Sequence, residues 1–141
     1  MKRKVYIYIL VAMIVVAIAA AARMYFKPHP SVKAAEPAFT LSALDLIDAF
    51  TNDEASATML YGGKILEVTG VVKEISFSDS SMVLQMGDTN RMESVSCYVY
   101  NGKQTHYTSI RPGKSVRVKG FCNGMLMDVV LDKCIILSDD E

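Results

Sequence analysis

KILEVTGVVKEIS, Lys64–Ser76, opens the stretch whose reading decides the fold. Leu66, Val68, Gly70 and Val72 fall on one face of an extended chain, and Glu67, Thr69, Val71 and Lys73 on the other. Gly70 stands mid-strand, where a missing side chain allows the sharp bend a small barrel needs. After Glu74 the phase shifts to Ile75 and Phe77, which predicts a bulge. Ser78-Asp79-Ser80-Ser81 then reads as a turn.

Four more strands are predicted downstream. The second is Met82–Met86, closed by Gly87-Asp88. The third, Glu93–Tyr100, points Val95, Cys97 and Val99 inward and Ser94, Ser96, Tyr98 and Tyr100 outward. Asn101-Gly102 turns the chain, and Lys103–Ile110, without strand alternation, predicts a short helix or turn. The fourth strand, Ser115–Cys122, directs Val116, Val118 and Gly120 inward. Asn123-Gly124 reads as the next hairpin turn. The fifth strand, Met127–Leu137, begins with Met127, Val129 and Leu131 inward. Three strands, a helical insert and two strands are the order of an OB-fold, a five-stranded Greek-key barrel. Closing it removes most of the edge that short strands would expose.

Upstream, Lys2-Arg3-Lys4 precedes eighteen uncharged residues, Val5–Ala22. As a helix they would span about 27 Å, enough for a bilayer core. That length favours an uncleaved transmembrane anchor over a removed signal peptide, although Ala19–Ala22 meets the small-residue rule for cleavage. The basic cluster predicts a cytoplasmic N-terminus with the rest outside. Pro28, Pro30 and Pro37 forbid a helix in the segment that follows and favour an extended spacer.

Ser42, with Asp45 three residues on, opens a helix with a short capping box. Leu41, Leu44 and Ile47, widened by Leu46 and Phe50, form its apolar stripe. Asn52 is expected to cap a second helix carrying Ala55, Met59 and Leu60 on its apolar side, and Tyr61-Gly62-Gly63 ends it. The expected organisation is an anchor at 1–23, a proline-containing linker at 24–40, a helical lead-in at 41–61, the barrel at 62–137 and an acidic tail at 138–141.

Net charge is zero over 141 residues, but five of the cations precede Pro28. From Pro28 onward fifteen Asp/Glu face ten Lys/Arg, whereas a domain that grips phosphate backbones usually carries a basic footprint.

The blocks YGGKILEVTGVVKEIS, VSCYVY, RPGKSVRVKGFCNG and MDVVLDKCII, spread over Tyr61–Ile136, resemble the tRNA_anti-like family of bacterial OB-fold proteins. The family is named for a distant likeness to the OB domain that binds tRNA anticodons. The resemblance implies a fold and an envelope setting, and no established biochemical activity.

Two constellations carry candidate chemistry. Tyr98 and Tyr100 point outward on the third strand, and Phe121 points outward on the fourth beside Arg117 and Lys119. OB proteins stack bases or sugar rings on such platforms and hold backbones with nearby cations. The competing reading turns the tyrosines toward the lead-in helices as core. Among Cys97, Cys122 and Cys134 at most one intramolecular disulfide forms. With a turn around Asn123–Met127, Cys122 pairs near residue 128, about 20 Å from Cys134, which is beyond disulfide reach. Cys97 with Cys134 is the preferred pair, because strands three and five adjoin in an OB barrel. Strand phase turns Cys134 outward unless a bulge intervenes, and three buried thiols are the alternative.

No Cys-x-x-Cys occurs, and neither His29 nor His106 has a ligand partner in sequence, so no metal or cofactor is expected. No nucleophile motif or phosphate-binding glycine loop points to catalysis. The sequence therefore predicts a mainly β, non-enzymatic module: a binding or scaffolding element, single-pass in the bacterial inner membrane, its barrel periplasmic or extracytoplasmic. The expected partner is an envelope protein or a glycan, with oligonucleotide binding as the competing function.

Overall fold

The structure, a computed structural model, describes residues 1–26, 31–100 and 109–140, the last three by backbone alone. It divides into two compact units, Met1–Pro30 and Ser31–Glu141. In the first, α1 (Lys2–Tyr25) has no acidic residue in its first turn and buries nothing. Its 24 residues span about 36 Å. It is long and apolar enough to cross a membrane, as a signal sequence also is.

The second unit begins with a short strand, β1 (Phe39–Ser42), followed by α2 (Ala43–Asn52) and α3 (Glu54–Tyr61). The remaining strands are β2 (Ile65–Phe77), β3 (Ser81–Met86), β4 (Val95–Tyr100), β5 (Ser115–Met125) and β6 (Val129–Asp140). The sheet order is β1-β2-β3-β4-β6-β5, and β5 also pairs with β2. Five strands thus close into the OB-fold barrel, with β1 laid parallel on the first half of β2, Phe39 opposite Leu66.

Closure depends on β2 serving two neighbours. Its first half pairs with β5 from Ile65–Phe121 to Val71–Ser115, and its second half pairs with β3. An extra residue between Val72 and Glu74 supplies the bulge, one position before the phase change in the sequence. At the bend, a Cβ on Gly70 would lie 2.6 Å from the Cβ of Ala43, so glycine here lets α2 seat against the strand. Leu66, Val68, Val72, Val95, Cys97, Val116, Val118 and Leu131 all face the buried interior, as the alternation predicts.

Ser42 caps α2, its hydroxyl accepting from the Asp45 amide at 3.1 Å. Ala43, Leu46, Ile47 and Phe50 join the barrel core; the last three each contribute about 1.5–3 kcal/mol by leaving water. Leu44, expected in the stripe, is exposed, because the buried arc is centred on 43, 46, 47 and 50. Asp53, rather than Asn52, caps α3 by accepting from the Ser56 amide. On α3 only Ala57 is buried, and Ala55, Met59 and Leu60 face solvent.

Asn123-Gly124 is not the hairpin turn. It is a bulge within β5, where Gly124 takes φ +104°, and the chain reverses at Leu126–Asp128. Cys122 accordingly lies opposite Leu131, three residues from Cys134, and Met127 is exposed in the turn. The expected tail is also shorter, since β6 pairs with β5 as far as Asp140–Ser115. The predicted Lys103–Ile110 helix or turn falls largely outside the described residues, as do the Asn101-Gly102 turn, His29 and His106.

Candidate functional site

The five residues of the expected platform occupy two outer faces with different surroundings. On β5, Arg117 lies opposite Thr69, Lys119 opposite Glu67 and Phe121 opposite Ile65. Arg117 Nε is 3.7 Å from Glu67 Oε1, an ion pair in partly exposed surroundings. Lys119 is only 8 % exposed. Its ammonium donates to the backbone carbonyls of Ala35 at 2.9 Å and Lys33 at 3.3 Å. The segment it holds runs along the barrel with Val32 buried, and the Ala38 amide donates to the carbonyl of Ile65. The Pro-flanked segment expected as spacer is thus fastened to the barrel from Ser31 onward.

The outer face of β4 is different. Tyr98 is 36 % and Tyr100 53 % exposed, so the tyrosines are not packed as core beneath the helices. They sit two apart on one strand, beside Val83 and Ser81 of β3. The Asp132 carboxylate, as hydrogen-bond acceptor and as charge, raises the Tyr100 phenol above its ordinary value. Asp132 lies on β6 directly opposite Phe121, itself half-buried. β6, which carries Asp132, therefore stands between the tyrosine strand and β5, the strand that carries Phe121 and the two cations. The sequence reading missed Asp132; its one signal was an acidic residue at an outward position beside the inward Leu131.

The end of the barrel under α2 is tied by polar contacts. Arg91 bonds Asp48 of α2 at 2.6 Å, and Lys73 donates to the carbonyl of Arg91 at 2.8 Å. Asp128 accepts from the Ser94 amide and the Ser96 hydroxyl, joining the β5–β6 turn to β4. A groove of about 380 Å³ runs between α3 and that hairpin, lined by Glu54, Thr58, Asn123 and Met125 among others. Its lining brings no pair of titratable groups together. Among the described residues no cluster of three or more His, Cys, Asp or Glu is placed to hold a metal ion.

The three cysteines are buried free thiols. Burial raises the Cys122 thiol above its ordinary value. Cys134 is turned inward against Cys97, and hydrogen bonding to that thiol, with burial, raises it well above the ordinary range.

A closed five-stranded barrel in this strand order defines an OB-fold domain. The tRNA_anti-like family model matches residues 1–136, and the chain belongs to that family of OB-fold proteins. No curated protein matches. Among solved structures, the chain is similar to a Klebsiella pneumoniae lipoprotein provisionally described as nucleic acid-binding. The identity is 16 %, with 79 % of this chain and 100 % of that one covered at a TM-score of 0.57. Smaller likenesses are to the Stn1–Ten1 complex of S. pombe and to an OBody bound to hen egg-white lysozyme. The first has 21 % identity, covers 53 % of this chain and 59 % of that one, and has a TM-score of 0.40. The second has 15 % identity, covers 55 % and 98 %, and has the same TM-score.

Proposed function

We propose that this protein is a non-catalytic binding or scaffolding module, tethered to the bacterial inner membrane by α1 with its barrel outside. The contact surface is the outer face formed by Tyr98, Tyr100, Asp132 and Phe121. Its partner is another envelope protein or a glycan. One observation carries the reading: the two tyrosines of β4 stay exposed, while Lys119 is engaged by backbone carbonyls and Arg117 is paired with Glu67. Aromatic faces with a hydrogen-bonding carboxylate suit a sugar ring or a neutral to basic peptide surface. They repel a polyanion, as does the acidic balance of the chain beyond Pro28.

The tether reading is supported by the length and apolarity of α1 and by the basic cluster before it. Oligonucleotide binding is the alternative, favoured by the exposed tyrosines and by the provisional description of the Klebsiella lipoprotein. Filter binding of the detergent-solubilised full chain to single-stranded DNA and RNA over a salt series separates the two. The proposal expects no retention even at low salt. Retention that weakens steeply as salt rises would replace it with the oligonucleotide reading.

A further inference from the structure

We propose that Cys97 and Cys134 are joined as a disulfide in the native protein, a staple across the seam where the barrel closes. This goes beyond the binding reading but rests on its outward address, since disulfides persist in oxidising compartments. The argument begins with β6. Asp132 lies opposite Phe121 and Ile135 opposite Lys119, so β6 carries one residue more than β5 between these pairs. Lys133 absorbs the excess at φ +50°, a conformation unfavourable for a residue with a side chain. The bulge turns Cys134 inward, against its strand phase, until it is 3 % exposed.

Opposite the bulge stands Gly120. A Cβ there would lie 2.5 Å from Cys134 Sγ, so the sulfur occupies space that only glycine leaves open. On the neighbouring strand Cys97 is paired with Leu131, whose carbonyl accepts from Cys134 Sγ at 3.3 Å, and both cysteines lie in the same buried core. A strained backbone and a missing side chain thus converge on holding the Cys134 sulfur inside the barrel, beside the residue paired with Cys97. The location is also the place that most needs a staple. β4 and β6 pair in parallel only over Val95–Cys97, whereas β5 and β6 pair along their whole length.

The reaction is thiol–disulfide exchange. One thiolate attacks the disulfide of an oxidant, either a low-molecular-weight disulfide or that of a thiol oxidoreductase, and expels one thiol. The second cysteine then attacks the mixed disulfide and expels the other. A sulfur–sulfur bond forms, and the two electrons and two protons leave with the reduced oxidant. Burial of both sulfurs in the closed barrel places this step during folding, before β6 docks.

The test traps thiols with iodoacetamide at lysis of whole cells, with no reductant, and maps the denatured full chain by mass spectrometry. Protease access from outside the cell reports the address separately. The expected result is one alkylated cysteine, Cys122, a mass about 2 Da below that of a singly alkylated chain whose other two thiols are intact, and a crosslinked Cys97–Cys134 peptide. Reduction should lower the melting temperature by about 10 °C or more. Cys122→Ser should remove the alkylated position and leave the crosslink and the melting shift unchanged, while Cys97→Ser and Cys134→Ser should abolish the crosslink. A barrel accessible from outside with three alkylated cysteines, or a crosslink through Cys122, would overturn the inference and leave the address standing. If the barrel proves inaccessible, refolding the full chain in detergent with oxidised glutathione decides. Closure of the 97–134 pair upholds the pairing, and free thiols overturn it.

Discussion

The outer faces of β4 and β5 look alike when their side chains are written out, yet the fold treats them in opposite ways. Both alternate inward aliphatics with outward residues suited to contact: Tyr98 and Tyr100 on one, Arg117 and Lys119 on the other. In the structure the β4 face stays open, while the β5 cations meet acceptors from the same chain. An outward position on a strand is therefore not yet a surface. Whether it becomes one depends on segments far away in sequence, here the Lys33–Ala35 turn some 84 residues before Lys119.

The sharpest way to break this contrast is Lys119→Ala. It leaves two carbonyls without their charged donor and should destabilise the domain by about 1–3 kcal/mol in urea unfolding. Limited proteolysis should then cut earlier in the segment around Lys33, while partner binding at β4 is unchanged. A neutral effect on both would mean the segment is held by other contacts. Arg117→Ala should cost less, about 0.2–1 kcal/mol, because its pair with Glu67 is partly exposed and 3.7 Å long.

Tyr98→Ala with Tyr100→Ala should change stability still less, within about 0.5 kcal/mol for exposed positions. The same double variant should lose the partner in co-purification. Smallest of all is the electrostatic mark of Asp132. In the folded chain the Tyr100 phenol is raised, so the Tyr100–Asp132 link is fully present below the ordinary value of 10.0 and is lost as pH rises through the raised one. Asp132→Asn should bring that titration back toward the ordinary value in an NMR pH series. No movement would show that the carboxylate does not face the phenol in solution.

Much of the barrel was legible because alternation is a local signal. The inward sets of β2, β4 and β5 and the cap at Ser42 can be read within a few residues of themselves. What escaped depends on partners the local pattern does not name. Asn123-Gly124 has hairpin chemistry, but its glycine serves a bulge, and that moves Cys122 opposite Leu131. The phase of β6 turned Cys134 outward until an extra residue at Lys133 reversed it. β1 was hidden among prolines and a cap, because its pairing with β2 is parallel and has no hairpin to announce it. At the candidate site the tyrosines were readable as outward. The burial of Lys119 and the place of Asp132 among the aromatics were not, since each is set by a strand or turn beyond the next neighbour.

The most direct measurement is site-specific photocrosslinking in whole cells. A photoreactive phenylalanine analogue is placed at position 98, at position 100 and, for comparison, at position 117. The expected result is one discrete protein or glycan adduct from 98 and 100, and none from 117. Adducts from 117 alone, or nucleic acid captured at 98 or 100, would contradict an open β4 face that receives an envelope partner.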